Sequence, residues 1–331
     1  MDCYVSCLLG VVTIVVCVRY YVSSKWIRFT EEIDLKGKNV IITGANAGLG
    51  LELSIQFAKR NARVYMACRN TKKGALAVEY VRKHLGSSAD VICVELDQSS
   101  LVSVRRFVDD FKTREKKLDI LINNAAVNAI PSSITEDGIL LHYATNYFGP
   151  FLLTNLLLER LERSEAGGRV VNIGSLSHTG ARLDLDYIQP DKARIYIQTM
   201  QKGFIKKQED ILLYQNSKLM MLMFTFELAR RLGKRGVTSN CVHPGIVATR
   251  MLEDDRNLLR KVIVFSLRLF AKSAEEGCQP ILHCALSEQL RDVTGKYFGN
   301  FEEEKNVHEM ALDERSWEKL WEISEDTTGL S

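Results

Sequence analysis

A tyrosine and a lysine four positions apart are the residues best suited to do chemistry in this chain of 331 residues. Tyr214 and Lys218 stand in the stretch Tyr214-Gln-Asn-Ser-Lys218, and that spacing puts both side chains on one face of a helix. A phenol with a pKa of about 10 exchanges protons near neutral pH only when its anion is stabilised. The pair therefore predicts proton transfer by Tyr214, whose pKa a nearby Lys218 ammonium would lower.

A glycine-rich turn far upstream predicts a nucleotide site. The apolar run Asn39 to Thr43 is typical of a buried parallel strand, and Leu51 to Arg60 is typical of a helix. Between them, Gly44 permits a tight turn, Gly48 lets the backbone approach a pyrophosphate, and Gly50 lets the helix pack closely on the strand. The helix N-terminus would attract the phosphates. The glycines are spaced four and then two, a variant of the commoner dinucleotide pattern.

Ordered landmarks along the chain resemble the short-chain dehydrogenase/reductase family, and within it the membrane-anchored retinol dehydrogenase-like group. The resemblance runs from about Gly37 to Gly299. Its landmarks are Thr43-Gly-Ala-Asn-Ala-Gly-Leu-Gly50, Leu96-Asp97, Asn123-Asn124-Ala125-Ala126, Asn146, Ser175, the Tyr214 and Lys218 pair, and His243-Pro244-Gly245-Ile-Val-Ala-Thr249. It implies an α/β fold with a single Rossmann-like, doubly wound parallel sheet of about seven strands.

Short apolar runs alternate with longer periodic segments, which is typical of a parallel sheet with crossover helices. Six predicted strands cover Val40 to Thr43, Arg63 to Ala67, Val91 to Glu95, Ile120 to Asn123, Arg169 to Gly174 and Thr238 to His243, and the resemblance implies a seventh near Gly295 to Phe298. No internal repeat or low-complexity segment is indicated. Residues 37–331 are therefore predicted to form one domain.

The resemblance implies a role for each reacting group. Tyr214 would deliver a proton to the oxygen of a carbonyl as a hydride reaches its carbon, and Ser175 would donate a hydrogen bond to the same oxygen. Lys218 would hold the ribose hydroxyls, and Asn146 would kink its helix and position a water that links the lysine to solvent. Ser177 competes with Ser175 for the serine role. Ser175 and Asn146 could instead be cap or turn residues.

The end of the second predicted strand indicates which cofactor binds. Cys68 and Arg69 stand there instead of the acidic residue that accepts from an unphosphorylated ribose. The Arg69 guanidinium could bind a 2′-phosphate, with Lys72 and Lys73 as weaker candidates and a merely solvated arginine as the alternative. We therefore expect NADP(H) as cofactor.

The full predicted cofactor site follows from the resemblance. Its residues are Gly44, Asn46, Gly48, Leu49, Gly50, Arg69, Asp97, Asn124, Ala125, Tyr214, Lys218, Pro244, Gly245, Val247 and Thr249. Asp97 would lie on the adenine side, a role compatible with capping the next helix. Thr249 would bind the nicotinamide carboxamide. The histidines show no metal-ligand spacing, and no metal is expected; His178, soon after the predicted serine, is interpreted as a surface-turn residue that could alternatively line the pocket.

An apolar N-terminal segment precedes the domain. Tyr4 to Val18 carries no charge and approaches a membrane-spanning length with the tyrosines that follow Arg19. Residues 1–24 are predicted to be an uncleaved membrane-anchor helix and 25–36 a connector, with a docked helix or a monotopic segment as the alternative. The basic residues after the apolar run favour a catalytic domain that faces the cytosol. The endoplasmic reticulum is the expected membrane, and lipid droplets and mitochondria remain open.

Two amphipathic segments point to an apolar substrate. An insertion at about 189–210 could be a lid that touches the membrane or a solvated loop. A second segment, about 256–272, follows the proline-glycine motif, where the resemblance implies the substrate pocket; it could also be ordinary core packing. Two departures from the family pattern, Ala126 and Gly174, remove no reacting group.

Composition excludes several classes of protein. The net charge is +3 without long basic runs, so no nucleic-acid partner is expected, and the eight scattered cysteines are interpreted as reduced thiols. The predicted partners are a lipophilic small molecule, a membrane and a second copy in a homodimer. The predicted function is NADP(H)-dependent interconversion of a lipophilic alcohol with its aldehyde or ketone, retinal being the leading substrate and steroids or polyprenyl and lipid aldehydes the others. The alternative is a cofactor-binding membrane sensor or scaffold without appreciable turnover.

Overall fold

One mixed sheet organises the chain in a computed structural model that describes residues 13, 17–21, 23–24, 26–128, 130–201, 209–247 and 271–330. The strand order across the sheet is β3-β2-β1-β4-β5-β6-β7-β8. The strands are β1 (Asn39–Thr43), β2 (Arg63–Cys68), β3 (Val91–Glu95), β4 (Ile120–Asn123), β5 (Gly168–Ile173), β6 (Val237–His243), β7 (Lys296–Gly299) and β8 (Glu302–Glu303).

The first seven strands are parallel, and the strand order reverses between β1 and β4. This confirms the predicted Rossmann-like sheet, in which ligands bind at the carboxyl ends of the strands near the reversal. The eighth strand was not predicted. It pairs antiparallel to β7 after a tight turn in which Asn300 and Phe301 have φ of 49° and 77°, and two residues are too short to show a strand pattern in sequence.

Helices cover both faces of the sheet. They are α1 (Gly48–Ala58), α2 (Thr71–Leu85), α3 (Leu101–Arg114), α4 (Gly149–Glu162), α5 (Pro190–Gln201), α6 (Glu209–Leu232), α7 (Ala274–Leu286) and α8 (Glu314–Thr328). Polar caps begin several of them: the Asn70 side chain accepts from Lys73 N before α2, and Ser273 forms a capping box with Glu276 before α7. Such caps satisfy amides that have no partner within the helix.

Successive residues of β1 point to opposite cores. Ile41 packs with the helices α3, α4, α6 and α8, whereas Val40 and Ile42 pack with α1, α2 and α7. This alternation is the period of two of a strand with both faces buried. The sheet is therefore doubly wound, as predicted, and its carboxyl edge is held rigidly between two apolar layers.

The connector 25–36 is packed on the domain where the structure describes it. Phe29 is buried and its amide donates to Gln279 Oε1 at 3.0 Å, and Arg19 forms an ion pair with Glu276 at 3.1 Å. A membrane-crossing helix, long and apolar enough, is not found in the described part of the chain. Most of the predicted anchor 1–24 and of the segment 256–272 lies outside that part. The predicted insertion begins with α5, and residues 202–208 are also outside the description.

Candidate active site

The glycine turn after β1 has the geometry that the sequence predicts. Gly44 and Gly48 have φ of +67° and +56°, values that side chains with a Cβ rarely adopt. A Cβ on Gly50 would collide with the carbonyl oxygen of Gly44 and lie 2.7 Å from Asn124 Nδ2. Helix α1 can therefore begin directly against the turn only because position 50 has no side chain.

The segment after β4 is tied to this turn. Thr43 Oγ1 accepts hydrogen bonds from Asn124 N at 3.0 Å and from Ala125 N at 2.9 Å, and Asn124 Nδ2 donates to Thr43 O at 2.8 Å. These bonds bring the predicted cofactor residues Asn124 and Ala125 beside Gly44, whose Cβ, if present, would lie 3.0 Å from Ala125 Cβ. The result is a narrow backbone cradle suited to a dinucleotide.

The end of β2 borders the same turn. The buried Cys68 thiol accepts hydrogen bonds from the backbone of Ala45 and Asn46, which places Arg69, the next residue, beside the cradle. Arg69 is exposed, and its guanidinium has no hydrogen bond or ion pair with any residue that the structure describes. Asp97 accepts from Ser99 N at 2.9 Å and from Ser99 Oγ at 2.6 Å, which forms a local turn. It does not cap the next helix: the cap of α3 is Ser100, whose side chain accepts from Ser103 N at 3.3 Å.

Tyr214 and Lys218 share one face of α6, as predicted. Lys218 is 4% exposed, its Nζ donates to Ile173 O at 2.8 Å, and the same Nζ lies 5.5 Å from the centroid of the Tyr214 ring. Ile173 is the last residue of β5. The lysine thus links the helix that bears the tyrosine to the strand that leads to Ser175.

Ser175 completes this group. Its side chain lies near the Tyr214 hydroxyl and acts to lower the pKa of that phenol, while Ser177 donates to Ser175 Oγ from its own Oγ at 2.8 Å. The structure therefore puts Ser175, the preferred candidate, beside the phenol, with Ser177 hydrogen-bonded to it. Ser175 also caps a 3₁₀ turn, Leu176–Gly180, so the cap interpretation is confirmed and the catalytic one stays a prediction.

The expected effect of Lys218 on Tyr214 is not found. Burial raises the pKa of Tyr214 above its ordinary value, and the hydrogen bond with Ser175 is the opposing influence. The Lys218 ammonium is directed at Ile173 O and at the face of the ring rather than at the hydroxyl. Burial also lowers the pKa of Lys218 to about 8, because an ammonium without surrounding water is costly.

Asn146 lies in a π-helical segment, Ala144–Phe148, which precedes α4; helices often bend at such segments. Its Oδ1 accepts from Val127 N at 2.8 Å, and its Nδ2 donates to Val127 O at 2.9 Å and to Ser217 Oγ at 2.9 Å. Ser217 Oγ in turn donates to Tyr214 O at 2.7 Å. Asn146 thus joins the segment after β4 to the helical turn that bears Tyr214; the water that it is predicted to hold stays a prediction.

The proline-glycine segment after β6 reaches over the glycine turn. Gly245 has φ of +81°, and Val247 pairs with Lys272 in a parallel bridge. Val247 and Leu49 both pack against Gly277, which has no side chain. A Cβ on Gly277 would lie 2.6 Å from Val247 Cγ2 and 3.0 Å from Leu49 Cδ2. Thr249 lies outside the described residues.

The sequence interpretation missed Ser217 and misplaced His178, two residues near the centre. Ser217 has no motif of its own, although its position between Tyr214 and Lys218 could have suggested it. His178 was expected at a surface turn, which is wrong: it is 1% exposed, and its Nδ1 lies 2.6 Å from Ser175 O. Its spacing of three from the serine, within a single 3₁₀ turn, was the available signal.

The assembled groups fit a nicotinamide dinucleotide. The backbone cradle at Gly44 to Gly50 would receive the pyrophosphate, Arg69 would face the adenosine end, and Lys218, Tyr214 and Ser175 would surround the reacting end. Among the residues that the structure describes, no cluster of three His, Cys, Asp or Glu side chains could hold a metal ion. Proton and hydride transfer at one carbon–oxygen bond is the chemistry that this arrangement can perform.

Comparisons with known proteins point the same way. The family model described as short chain dehydrogenase matches residues 38–182. Retinol dehydrogenase 12 of Mus musculus is 40% identical over 91% of this chain and 89% of its own length, and retinol dehydrogenase 11 of Homo sapiens is 38% identical over 91% and 89%. The crystal structure of an uncharacterised protein from Mycobacterium Paratuberculosis, 29% identical, covers 92% of this chain and 98% of its own, with a TM-score of 0.69.

Proposed function

Since the chain belongs to the short-chain dehydrogenase family, we propose that it is an NADP(H)-dependent oxidoreductase that interconverts a lipophilic alcohol with its aldehyde or ketone. The observation that carries the proposal is that Lys218 Nζ lies 5.5 Å from the centroid of the Tyr214 ring and donates to Ile173 O, two residues before Ser175, at the edge of the sheet where the glycine turn lies. Two neighbouring hydroxyls can bind a carbonyl oxygen and protonate it.

NADPH, when bound, supplies the hydride. Tyr214 remains protonated at neutral pH because its pKa is raised, so it can donate a proton to the oxygen as negative charge develops there. Ser175 donates a second hydrogen bond to that oxygen and lowers the cost of the charge. Lys218, with a pKa of about 8, would hold the ribose and can exchange a proton near neutral pH.

The preference for NADP(H) rests on Arg69. Its guanidinium is exposed beside the glycine turn and is left without an ion pair by the described residues, so it is available for a 2′-phosphate. No acidic side chain follows β2 to bind the ribose hydroxyl of NAD(H). Both features favour the phosphorylated cofactor.

The substrate class follows from the relatives and from the sequence. Two relatives at 38–40% identity are named retinol dehydrogenases, which makes retinal the leading substrate; steroids and polyprenyl or lipid aldehydes share its apolar character. The apolar segment 1–24 and the amphipathic segment 256–272 support a membrane-anchored protein, with its catalytic domain facing the cytosol, that takes its substrate from the bilayer.

NADPH oxidation by detergent-solubilised protein, measured against a panel of retinal, steroid ketones and lipid aldehydes, tests the function. NADH and Tyr214→Phe are the controls. Turnover with NADPH that the variant lacks would support the proposal and rank the substrates. Tight NADPH binding without turnover on any substrate would contradict it and favour the sensor or scaffold instead.

A further inference from the structure

We propose that His178 is a positioning residue that holds the main chain of Ser175 so that its hydroxyl faces the substrate oxygen, and that Tyr297 completes the packing of His178. This inference rests on the proposed function, because it concerns the same serine. The two residues come from different elements: His178 from the 3₁₀ turn after β5, and Tyr297 from β7.

The main chain of Ser175 is held chiefly by the imidazole. Ser175 O accepts from His178 Nδ1 at 2.6 Å, whereas the backbone amide of His178 reaches the same oxygen at 3.2 Å. Ser177 holds the side chain of Ser175 through its own hydroxyl at 2.8 Å. One neighbour therefore restrains the carbonyl and another restrains the hydroxyl, which leaves the serine little freedom to turn away.

The hydrogen bond to Ser175 O determines the state of the ring. A carbonyl oxygen only accepts, so Nδ1 must carry the proton. Burial lowers the pKa of His178, so the ring is neutral and Nε2 is a bare acceptor. That Nε2 is buried without a hydrogen-bond partner among the described residues.

Tyr297 lies against the other side of His178. Their rings meet edge to face with centroids 5.2 Å apart, and the Tyr297 hydroxyl is likewise buried without a partner in the described part of the chain. A hydroxyl donor and an imidazole acceptor are chemically complementary. Tyr297 also packs on the residue before the serine, since a Cβ on Gly174 would lie 3.1 Å from Tyr297 Cε2.

Donors to a reacting oxygen must be positioned within about 0.5 Å to be effective. Ser175 stands at the junction of β5 and a short turn, where its backbone carbonyl no longer belongs to the sheet ladder. The hydrogen bond from His178 restrains this carbonyl in place of a hydrogen bond of the sheet. Its loss should therefore weaken the serine's contribution to catalysis and leave cofactor binding unchanged.

Steady-state kinetics of His178→Leu, His178→Asn and Ser175→Ala, alone and combined, test the role. We expect His178→Leu to lower kcat about 10-fold, which corresponds to one hydrogen bond, with the Kd of NADPH unchanged. His178→Asn, whose amide can donate to the same carbonyl, should recover most of the loss. His283→Leu is the matched control: a buried histidine that stacks on Phe301 away from the catalytic serine, and it should keep kcat.

The double variant decides whether His178 acts through Ser175. In the Ser175→Ala background, His178→Leu should lower kcat by less than about twofold, since residues that act as a unit are not additive. A full 10-fold loss in that background, or no loss in the wild type, would overturn the inference. Amide hydrogen exchange at residues 175–180 gives a readout without turnover. Faster exchange in His178→Leu than in His283→Leu supports the positioning role even if no substrate is reduced, and equal exchange refutes it.

Discussion

The carboxyl ends of β5 and β2 lie at the same edge of the sheet, but their functional side chains are held very differently. Beside β5, hydrogen bonds hold two of the side chains: Ser175 accepts from Ser177, and Lys218 donates to the last residue of the strand. Tyr214 lies near Ser175. Beside β2, Arg69 projects into solvent, and the described residues provide its guanidinium with no partner.

The difference agrees with the role proposed for each region. Groups that stabilise charge on a reacting oxygen are effective only when they are already oriented, because reorganisation at the moment of reaction costs free energy. A side chain that selects a phosphate can stay solvated until the ligand binds, since the phosphate itself provides the partner and the geometry. The proposed catalytic end is therefore built in advance, and the proposed selecting end would be completed by its ligand.

The largest effect is expected at the prebuilt end. Tyr214→Phe should lower kcat about 10³-fold, the usual loss for a missing general acid. Ser175 can still bind the substrate oxygen, but no phenol remains to protonate it. The Kd of NADPH, measured by fluorescence titration, should stay within about twofold, as the ring is kept. Turnover at wild-type rate would show that the phenol is not the acid.

Lys218→Met should abolish turnover yet stabilise the fold. The pKa of Lys218 is lowered from 10.5 to about 8, so below pH 8 the folded state carries a charge whose burial costs about 3 kcal/mol, at roughly 1.4 kcal/mol per pKa unit. Losing the hydrogen bond to Ile173 O offsets about 1 kcal/mol of the gain. The free energy of unfolding of the variant should therefore exceed that of the wild type by about 2 kcal/mol at pH 7.

The sign of this effect has a definite pH window. Because the pKa of Lys218 is lower in the folded state, its buried charge destabilises the fold fully below about pH 8. This destabilisation is relieved as the pH rises from about 8 towards 10.5. The gain from Lys218→Met, measured by urea unfolding, should shrink over that window, whereas Lys116→Met at an exposed position should show no comparable change. A variant less stable than the wild type at pH 7 would refute the argument.

Arg69→Glu tests the selecting end. The substitution should weaken NADPH binding about 10- to 100-fold, the value of one or two charge-assisted hydrogen bonds, and should change NADH binding far less. Arg106→Glu, at another exposed arginine on α3, makes the same charge reversal elsewhere and controls for net electrostatics. Equal losses for both cofactors would mean that Arg69 does not contact the 2′-phosphate.

Gly174→Ser probes how tightly the prebuilt end is packed. A Cβ at this position would lie 2.6 Å from Cys241 Sγ and 3.1 Å from Tyr297 Cε2, so the change should cost about 1–3 kcal/mol of stability through overpacking. Cys241→Ala should recover much of that cost in the double variant, because it removes the nearer obstacle. Strictly additive losses in thermal unfolding would contradict this account of the contact.

Local patterns predicted those features that depend on neighbours in sequence. The glycine turn, the strand segments and the shared helix face of Tyr214 and Lys218 all follow from backbone periodicity and from the absence of a Cβ at Gly44 and Gly50. Each strand that the periodicity or the resemblance indicated was found within about one or two residues of its expected bounds, as is usual for element ends.

The environment of those groups could not be predicted in this way. The burial of His178 depends on Tyr297, more than a hundred positions later, and the direction of the Tyr214 pKa shift depends on how much water the packed domain excludes. The joint formed by Asn146, Val127 and Ser217 unites three separate segments. None of these contacts produces a periodic pattern in the neighbouring sequence.

The sequence by itself determined which chemical groups this protein carries and on which faces of its helices and strands they stand, because backbone sterics and side-chain periodicity act over a few residues. Only the tertiary structure decided which of those groups meet at the carboxyl edge of the sheet, which lose their water and which stay exposed. Those properties arise from distant segments that exclude solvent together, and pKa values and hydrogen-bond partners follow that exclusion.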